Sequence, residues 1–160
     1  MNFDSVTINP YMGSDSVKPF LEFENKIAVL LGLTSNTGAN DIQLKTTSND
    51  NFIFMEMIKS SKEWGDKNNM MYVVGATKPG HIEKIRSLIP DHFLLMPGVG
   101  AQGGDLNEIC KYAINDNIGI IVNSSRSIIY ASDDETYASA AADQAMVLQN
   151  KMKLILSERK

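Results

Sequence analysis

The chain has 160 residues, 43% of them hydrophobic and 21% charged, a balance that suits one globular domain with a sizeable core. Its net charge of −4 contains no long block of one sign, which excludes a broad electrostatic surface for nucleic acid or an acidic membrane. An anionic ligand would have to be held locally, by aimed N–H groups and one or two basic side chains.

Short apolar runs alternate with helical periodicity along the whole chain. Residues 5–8 form the first β-like run. Ser14, Asp15 and Ser16 then offer N-caps to a helix carrying Val17, Phe20, Leu21 and Phe23. The second strand is predicted over residues 27–31. A polar stretch follows over residues 34–51, TSNTGANDIQLKTTSNDN, without clear periodicity. Loops of this length inside compact domains are usually functional or mobile. A helix is predicted over 52–64, with Gly65 as its stop. The third strand covers 71–74, and Pro79 can open a helix that puts Ile82, Ile85, Leu88 and Ile89 on one face. The fourth strand covers 93–96. Asp105 can cap the next helix, which turns Leu106, Ile109, Cys110, Ala113 and Ile114 inward. Cys110 is the single cysteine, so no intrachain disulfide forms, and its apolar setting predicts a buried, inert thiol. The fifth strand covers 118–122. The last helix is predicted to start near residues 132–135, where Ser132 and Glu135 have the spacing of a capping box, and to run through Leu156.

This is a βα order repeated five times, with strands that are apolar on both parities. It implies parallel strands joined by right-handed crossovers. An open doubly wound sheet and a piece of a (β/α)8 barrel both fit. A whole barrel takes about 250 residues, so the barrel reading makes this chain an incomplete one. No apolar run approaches the ~20 residues of a spanning helix, and the opening MNFDSVTINP has neither the basic nor the apolar region of a secretory leader. A cytoplasmic location is expected.

Two segments carry chemistry. Pro97-Gly98-Val99-Gly100-Ala101-Gln102-Gly103-Gly104-Asp105 lies directly after a strand and before a helix. Its glycines let backbone N–H groups approach an anion, and a helix N-terminus adds partial positive charge. It is neither a P-loop, having no lysine, nor a G-x-G-x-x-G dinucleotide motif. After the next strand comes Asn123-Ser124-Ser125-Arg126-Ser127-Ile128, where the Arg126 guanidinium can take a phosphate bidentately. Phosphate sites in (β/α)8 barrels recur at the loops after the last two strands, near a short extra helix. Residues 127–130 could form that helix.

PGVGAQGGD, a strand, and then S-R-S-I-I-Y resemble the closing segment of orotidine-5'-phosphate decarboxylases, especially a bacterial subgroup with long loops. Upstream, Val6-Thr7-Ile8-Asn9-Pro10-Tyr11-Met12-Gly13 resembles the fourth strand and turn of that subgroup. Leu33-Thr34-Ser35-Asn36-Thr37-Gly38 resembles its fifth-strand motif, with Thr37 where proline is common, and Val74-Gly75-Ala76-Thr77 the sixth. The resemblance covers the chain in register. It implies five βα units, strands 4–8, of a TIM (β/α)8 barrel of the ribulose-phosphate-binding type, with residues 1–160 as a single domain forming the C-terminal portion.

The resemblance also implies site roles. Gln102, Gly103 and Arg126 would grip the 5'-phosphate. Ser35 would read the pyrimidine edge, Pro97 would line the pocket by the base, and Asn9 would lie near the ribose or base unless it only makes a turn before Pro10. Thr34, Asn36 and Gly38 would belong to a flap over the ligand. The family's reaction converts orotidine-5'-phosphate to uridine-5'-phosphate and CO2 without metal or organic cofactor, through an Asp-x-Lys-x-x-x-Asp-type network. No such motif occurs in this sequence. A decarboxylase part that holds phosphate and pyrimidine but has no catalytic residues is therefore expected, inactive alone. Raw sheet edges predict a homodimer or larger assembly, or rearrangement into an open sandwich. The competing readings are another sugar-phosphate decarboxylase or synthase on the same barrel, and a non-catalytic nucleotide- or phosphate-binding α/β module.

Overall fold

The computed structural model describes residues 2–99 and 104–159. Five strands form one sheet: β1 (Ser5–Ile8), β2 (Ile27–Leu33), β3 (Met70–Val74), β4 (Leu94–Pro97) and β5 (Ile120–Asn123). The helices are α1 (Ser14–Leu21), α2 (Ile53–Ser61), α3 (Pro79–Leu88), α4 (Leu106–Ala113), α5 (Arg126–Ile129) and α6 (Tyr137–Ser157), with 3-10 turns at Pro10–Met12 and Thr37–Asn40. All four strand pairings are parallel, and the spatial order is β1-β2-β3-β4-β5.

That order decides between the two architectures. A doubly wound sheet reverses its strand order at a switch point and carries helices on both faces. Here the order never reverses, so right-handed crossovers place the helices on one side. The side chains agree. One strand parity, including Leu30, Tyr72, Val74, Leu94, Met96 and Ile120, packs in the core with Phe54, Ile58, Ile82, Ile85 and Ile109 of the helices. The other parity forms a separate cluster, Val29, Met71 and Val73 with Ile27, Leu31 and Leu95, which no helix residue joins. This is an arc of a β/α barrel, with the second cluster on its inner face. Cys110 lies 2% exposed in the outer core, its thiol 3.7 Å from the Met152 sulfur, and burial pushes its pKa up to about 11. No helix among the described residues is long and apolar enough to cross a membrane.

Two predicted boundaries move for physical reasons. Residues 118 and 119 are not strand: Ile118 and Gly119 have φ of 68° and 62°, and the Ile118 N–H donates to Asn115 O in a turn. The capping box at Ser132 and Glu135 does not form. Asp134 takes the hydroxyls of Thr136 (2.6 Å) and Ser132 (2.8 Å), which hold its pKa down at about 2, and the helix starts later, at Tyr137.

Arg86 locks the end of the sheet where the strands begin. Its Nε donates to Ala113 O (2.8 Å), and its Nη2 to Gly119 O (3.0 Å). Its Nη1 faces the carbonyls of Ile89 (3.0 Å), Pro90 (3.1 Å) and His92 (2.7 Å). The guanidinium thereby joins the ends of α3 and α4 to the turns before β4 and β5. Burial pulls its pKa down to about 10, opposed by Asp91, so it remains charged at neutral pH.

Candidate functional site

The opposite end of the sheet, where the strands finish, gathers the residues that the sequence singles out. Contacts run from each strand end to the next. At the end of β3 the Gly75 N–H donates to Leu33 O (2.7 Å), and a side chain at Gly75 would meet Ser35: its Cβ would lie 2.8 Å from the Ser35 nitrogen and 2.9 Å from its Cα. Only glycine admits that approach, which seats Ser35 over β3. The next residue, Ala76, donates its N–H to Pro97 O (2.9 Å), joining β3 to β4. The Ser124 hydroxyl donates to Val99 O (3.2 Å), joining β5 to β4.

The glycine-rich loop is held at both roots. Gly98 has φ of 97°, Val99 pairs with Gly104, and the Gly104 N–H donates to Gly98 O (3.3 Å). A Cβ on Gly104 would come within 2.8 Å of the Ala76 Cβ. Gln102 and Gly103, assigned to the phosphate by resemblance, lie outside the described residues. The expected short helix is present as α5, and Arg126 opens it.

These contacts leave a hollow of about 180 Å3 lined by Ser35, Pro97, Gly98, Asn123, Ser124 and Arg126, among others. Three candidates from three separate strand ends thus share one cavity. Arg126 is the one charged residue in its lining among the described residues. The ion pairs described elsewhere, Lys26 with Asp4 (3.1 Å) and Lys59 with Glu56 (2.9 Å), do not involve it. In α5 the Ile128 and Ile129 N–H groups both donate to Ser125 O (3.0 and 2.8 Å). Among the described residues the lining thus holds one cation and no carboxylate, in a chain of net charge −4. Small-molecule pockets typically run from about 300 to 1,000 Å3, so this hollow suits one end of a ligand such as a phosphate. No cluster of three metal-ligating side chains occurs among the described residues.

The flap candidates belong to a folded segment. The Gln43 side chain accepts from Thr34 N–H (2.8 Å) and donates to the Thr34 hydroxyl (2.8 Å), which donates to Asn36 (2.5 Å). Ala39 is fully buried, and Thr46 pairs with Phe52. At the exit of the segment, His81 stands edge-on to Phe52 (5.0 Å) and Phe54 (5.4 Å). Burial, with Lys84 and Lys78 nearby, lowers the His81 pKa. Gly38 and Asn9 line a neighbouring hollow of about 420 Å3 with Tyr11, Gln43 and Met57. The Asn9 carboxamide oxygen accepts from Tyr11 N–H (3.1 Å) and caps the turn at Pro10, the alternative role that the sequence allows it.

Sequence reasoning missed Ser124, Gly75 and Gln43 as parts of this rim. Gly75 directly follows an apolar run, a signal that could have marked a close approach. The Gln43 contact spans nine residues and has no local signature.

The orotidine-5'-phosphate decarboxylase of Christiangramia forsetii is 53% identical over 152 residues, covering 95% of this chain and 56% of the relative. That of Flavobacterium johnsoniae is 51% identical over 159 residues, covering 99% of this chain and 58% of the relative. The chain therefore spans a little over half the length of these relatives. Among solved structures, the OMP decarboxylase of Leishmania donovani superposes with a TM-score of 0.80 at 30% identity, over 96% of this chain and 58% of that one. The UMP synthase of the same organism gives 0.78 at 33%, over 91% of this chain and 33% of that one. A family model described as orotidine 5'-phosphate decarboxylase / HUMPS matches residues 1–141, and the chain belongs to that family.

Proposed function

We propose that this chain is the phosphate- and pyrimidine-gripping portion of an orotidine-5'-phosphate decarboxylase, corresponding to strands 4–8 of its barrel. The observation that carries this reading is the shared hollow, where Arg126 faces the root of the glycine-rich loop across a cavity that contains no carboxylate among the described residues. Arg126, with Gln102 and the Gly103 amide, takes the 5'-phosphate dianion. Ser35, seated by Gly75, reads the pyrimidine edge, and Pro97 supplies an apolar wall beside the base. Thr34, Asn36 and Gly38 belong to the segment that covers the ligand.

In the complete reaction, orotidine-5'-phosphate loses CO2, and the carbanion-like transition state at ring carbon 6 is stabilised by a lysine ammonium that then delivers the proton. No metal or organic cofactor takes part. The phosphate is remote from the bond that breaks, yet its binding energy can drive closure and hold the charged site in place. This chain supplies that remote grip, while the Asp-x-Lys-x-x-x-Asp-type network is absent from its sequence.

The test is a titration of uridine-5'-phosphate against the chain, followed by NMR. Arg126→Ala should cost about 1.5–3 kcal/mol, the value of a charge-assisted contact. An unchanged affinity would sink the phosphate assignment. Incubated with orotidine-5'-phosphate alone, the chain should show no turnover. Mixing it with a separately made N-terminal half that carries the Lys/Asp motif should restore some. Turnover by the 160-residue chain on its own would overturn the placement of the catalytic residues.

A further inference from the structure

Building on the phosphate-grip reading, we propose that Ser124 is a positioning residue that sets the gap between the Arg126 turn and the Val99 root of the glycine-rich loop through a two-hydroxyl relay. The Ser124 Oγ lies 3.2 Å from Val99 O and 2.5 Å from the Ser127 Oγ. Each hydroxyl has one proton to give. Ser124 donates its proton to the Val99 carbonyl, so Ser127 must donate to Ser124. The relay therefore runs in one direction, from Ser127 O–H to Ser124 O–H to Val99 C=O.

Both ends of the relay are anchored. Val99 is 5% exposed and paired with Gly104, so the accepting carbonyl belongs to the fixed root of the loop. Ser127 lies in α5 beside Arg126, so the donating end moves with the guanidinium's own backbone. The adjacent serine cannot take over, because the Ser125 hydroxyl is bonded to the Asn123 side chain (3.2 Å).

Packing holds Val99 in the core, but the serine side of this wall borders open space. Behind it lies a second hollow of about 450 Å3, lined by Val99, Ser124 and Ser127 on one side and by Asn107, Gln144 and Leu154 of α4 and α6 on the other. With hollows on both sides, Ser124 has little van der Waals support of its own. The hydroxyl relay ties it to the packed Val99 root.

The experiment titrates uridine-5'-phosphate and uridine against the wild-type chain, Ser124→Ala, Ser127→Ala, Ser124→Thr and Arg126→Ala by NMR shifts, with a urea melt for each variant. Ser124→Ala and Ser127→Ala should each weaken uridine-5'-phosphate roughly three- to tenfold, the equivalent of one neutral hydrogen bond, and leave uridine within about twofold. Ser127→Ala breaks the relay at its outer end and keeps the test decisive if Ser124→Ala unfolds. Ser124→Thr retains the hydroxyl and should bind like wild type. Equal weakening of both ligands would indicate general loosening and overturn the proposal, as would failure of the threonine variant to restore affinity. If Arg126→Ala weakens uridine-5'-phosphate while both serine variants leave it unchanged, the relay alone fails. If Arg126→Ala leaves it unchanged as well, the underlying site reading fails too.

Discussion

Replacing Arg86 with methionine keeps the length of the side chain and removes its donors. Five carbonyls from the ends of α3 and α4 and the turns before β4 and β5 lose a donor, of which Gly119 O keeps the Leu94 N–H (2.9 Å) and Pro90 O the Asn115 Nδ2 (2.8 Å). At Nη1 two hydrogens serve three carbonyls, so one bond must be shared. The Pro90 carbonyl is exposed and can turn to water, whereas the others are partly buried. About four effective bonds at ~1 kcal/mol each, less the relief of no longer burying a charge, give a loss of about 3–4 kcal/mol. A domain of this size holds only about 5–15 kcal/mol in total. With a urea m-value of ~2 kcal/mol/M, the midpoint should fall by about 1.5–2 M, followed by Trp64 fluorescence and far-UV circular dichroism. Arg86→Lys, with three donors on one nitrogen, should recover about half of the loss. Arg126→Met is the control, an exposed arginine expected to change stability by less than about 0.5 kcal/mol. If the two methionine variants melt together, the carbonyl knot does not stabilise the fold and the reasoning is wrong.

Three further outcomes are expected. Gly75→Ala forces its Cβ to within 2.9 Å of Ser35, so Ser35 must shift; uridine-5'-phosphate should bind several-fold more weakly, about one hydrogen bond or ~1 kcal/mol, and unchanged binding would remove Ser35 from the site. Both nitrogens of His92 are buried without a partner among the described residues, and burial lowers its pKa, with Asp66 and Asp91 opposing and Arg86 and Lys62 assisting. The unfolded chain therefore binds the proton more readily, and stability is full above the unfolded pKa of about 6.5 and declines as pH falls below it. His92→Phe should flatten that decline in urea midpoints measured between about pH 7.5 and 5, and an identical slope would refute the assignment. Ile121 and Val6 are 47% and 43% exposed on the two edge strands, so light scattering should find a dimer or larger species; a clean monomer would contradict this.

The strands and helices were legible because burial on both sheet faces leaves unbroken apolar runs, and the helix stripes are regular. The misses came from contacts that periodicity does not encode. Ile118 reads as strand by residue type, yet its backbone turns at φ 68° to serve the loop from Asn115. Ser132 had the spacing of a helix cap, but a nearer acceptor, Asp134, captured its hydroxyl. Near the hollow, the sequence marked Arg126 by its place after a strand, where barrel ligands bind, whereas Ser35 and Pro97 came from the family resemblance alone. Ser124 was not legible, because its role depends on a carbonyl 25 residues away. Arg86 carries no signal in the sequence, since it lies inside a helix and its acceptors reach as far as Gly119.

The two arginines differ because of where a parallel β/α fold puts its polar backbone ends. Helices that follow parallel strands run back toward the strand starts, so their C-terminal carbonyls gather at one rim and their N-terminal amides at the other. Each end carries a partial charge of about half a unit, negative at the carbonyls and positive at the amides. A guanidinium at the first rim finds acceptors within the protein, which is why Arg86 needs no carboxylate. A guanidinium at the second rim, such as Arg126, meets the amide ends instead, and the cavity beside it contributes no acid among the described residues. Water or an anion with several oxygens can supply its acceptors. On the reading proposed above, that anion is the 5'-phosphate, whose oxygens match the paired donors of the guanidinium.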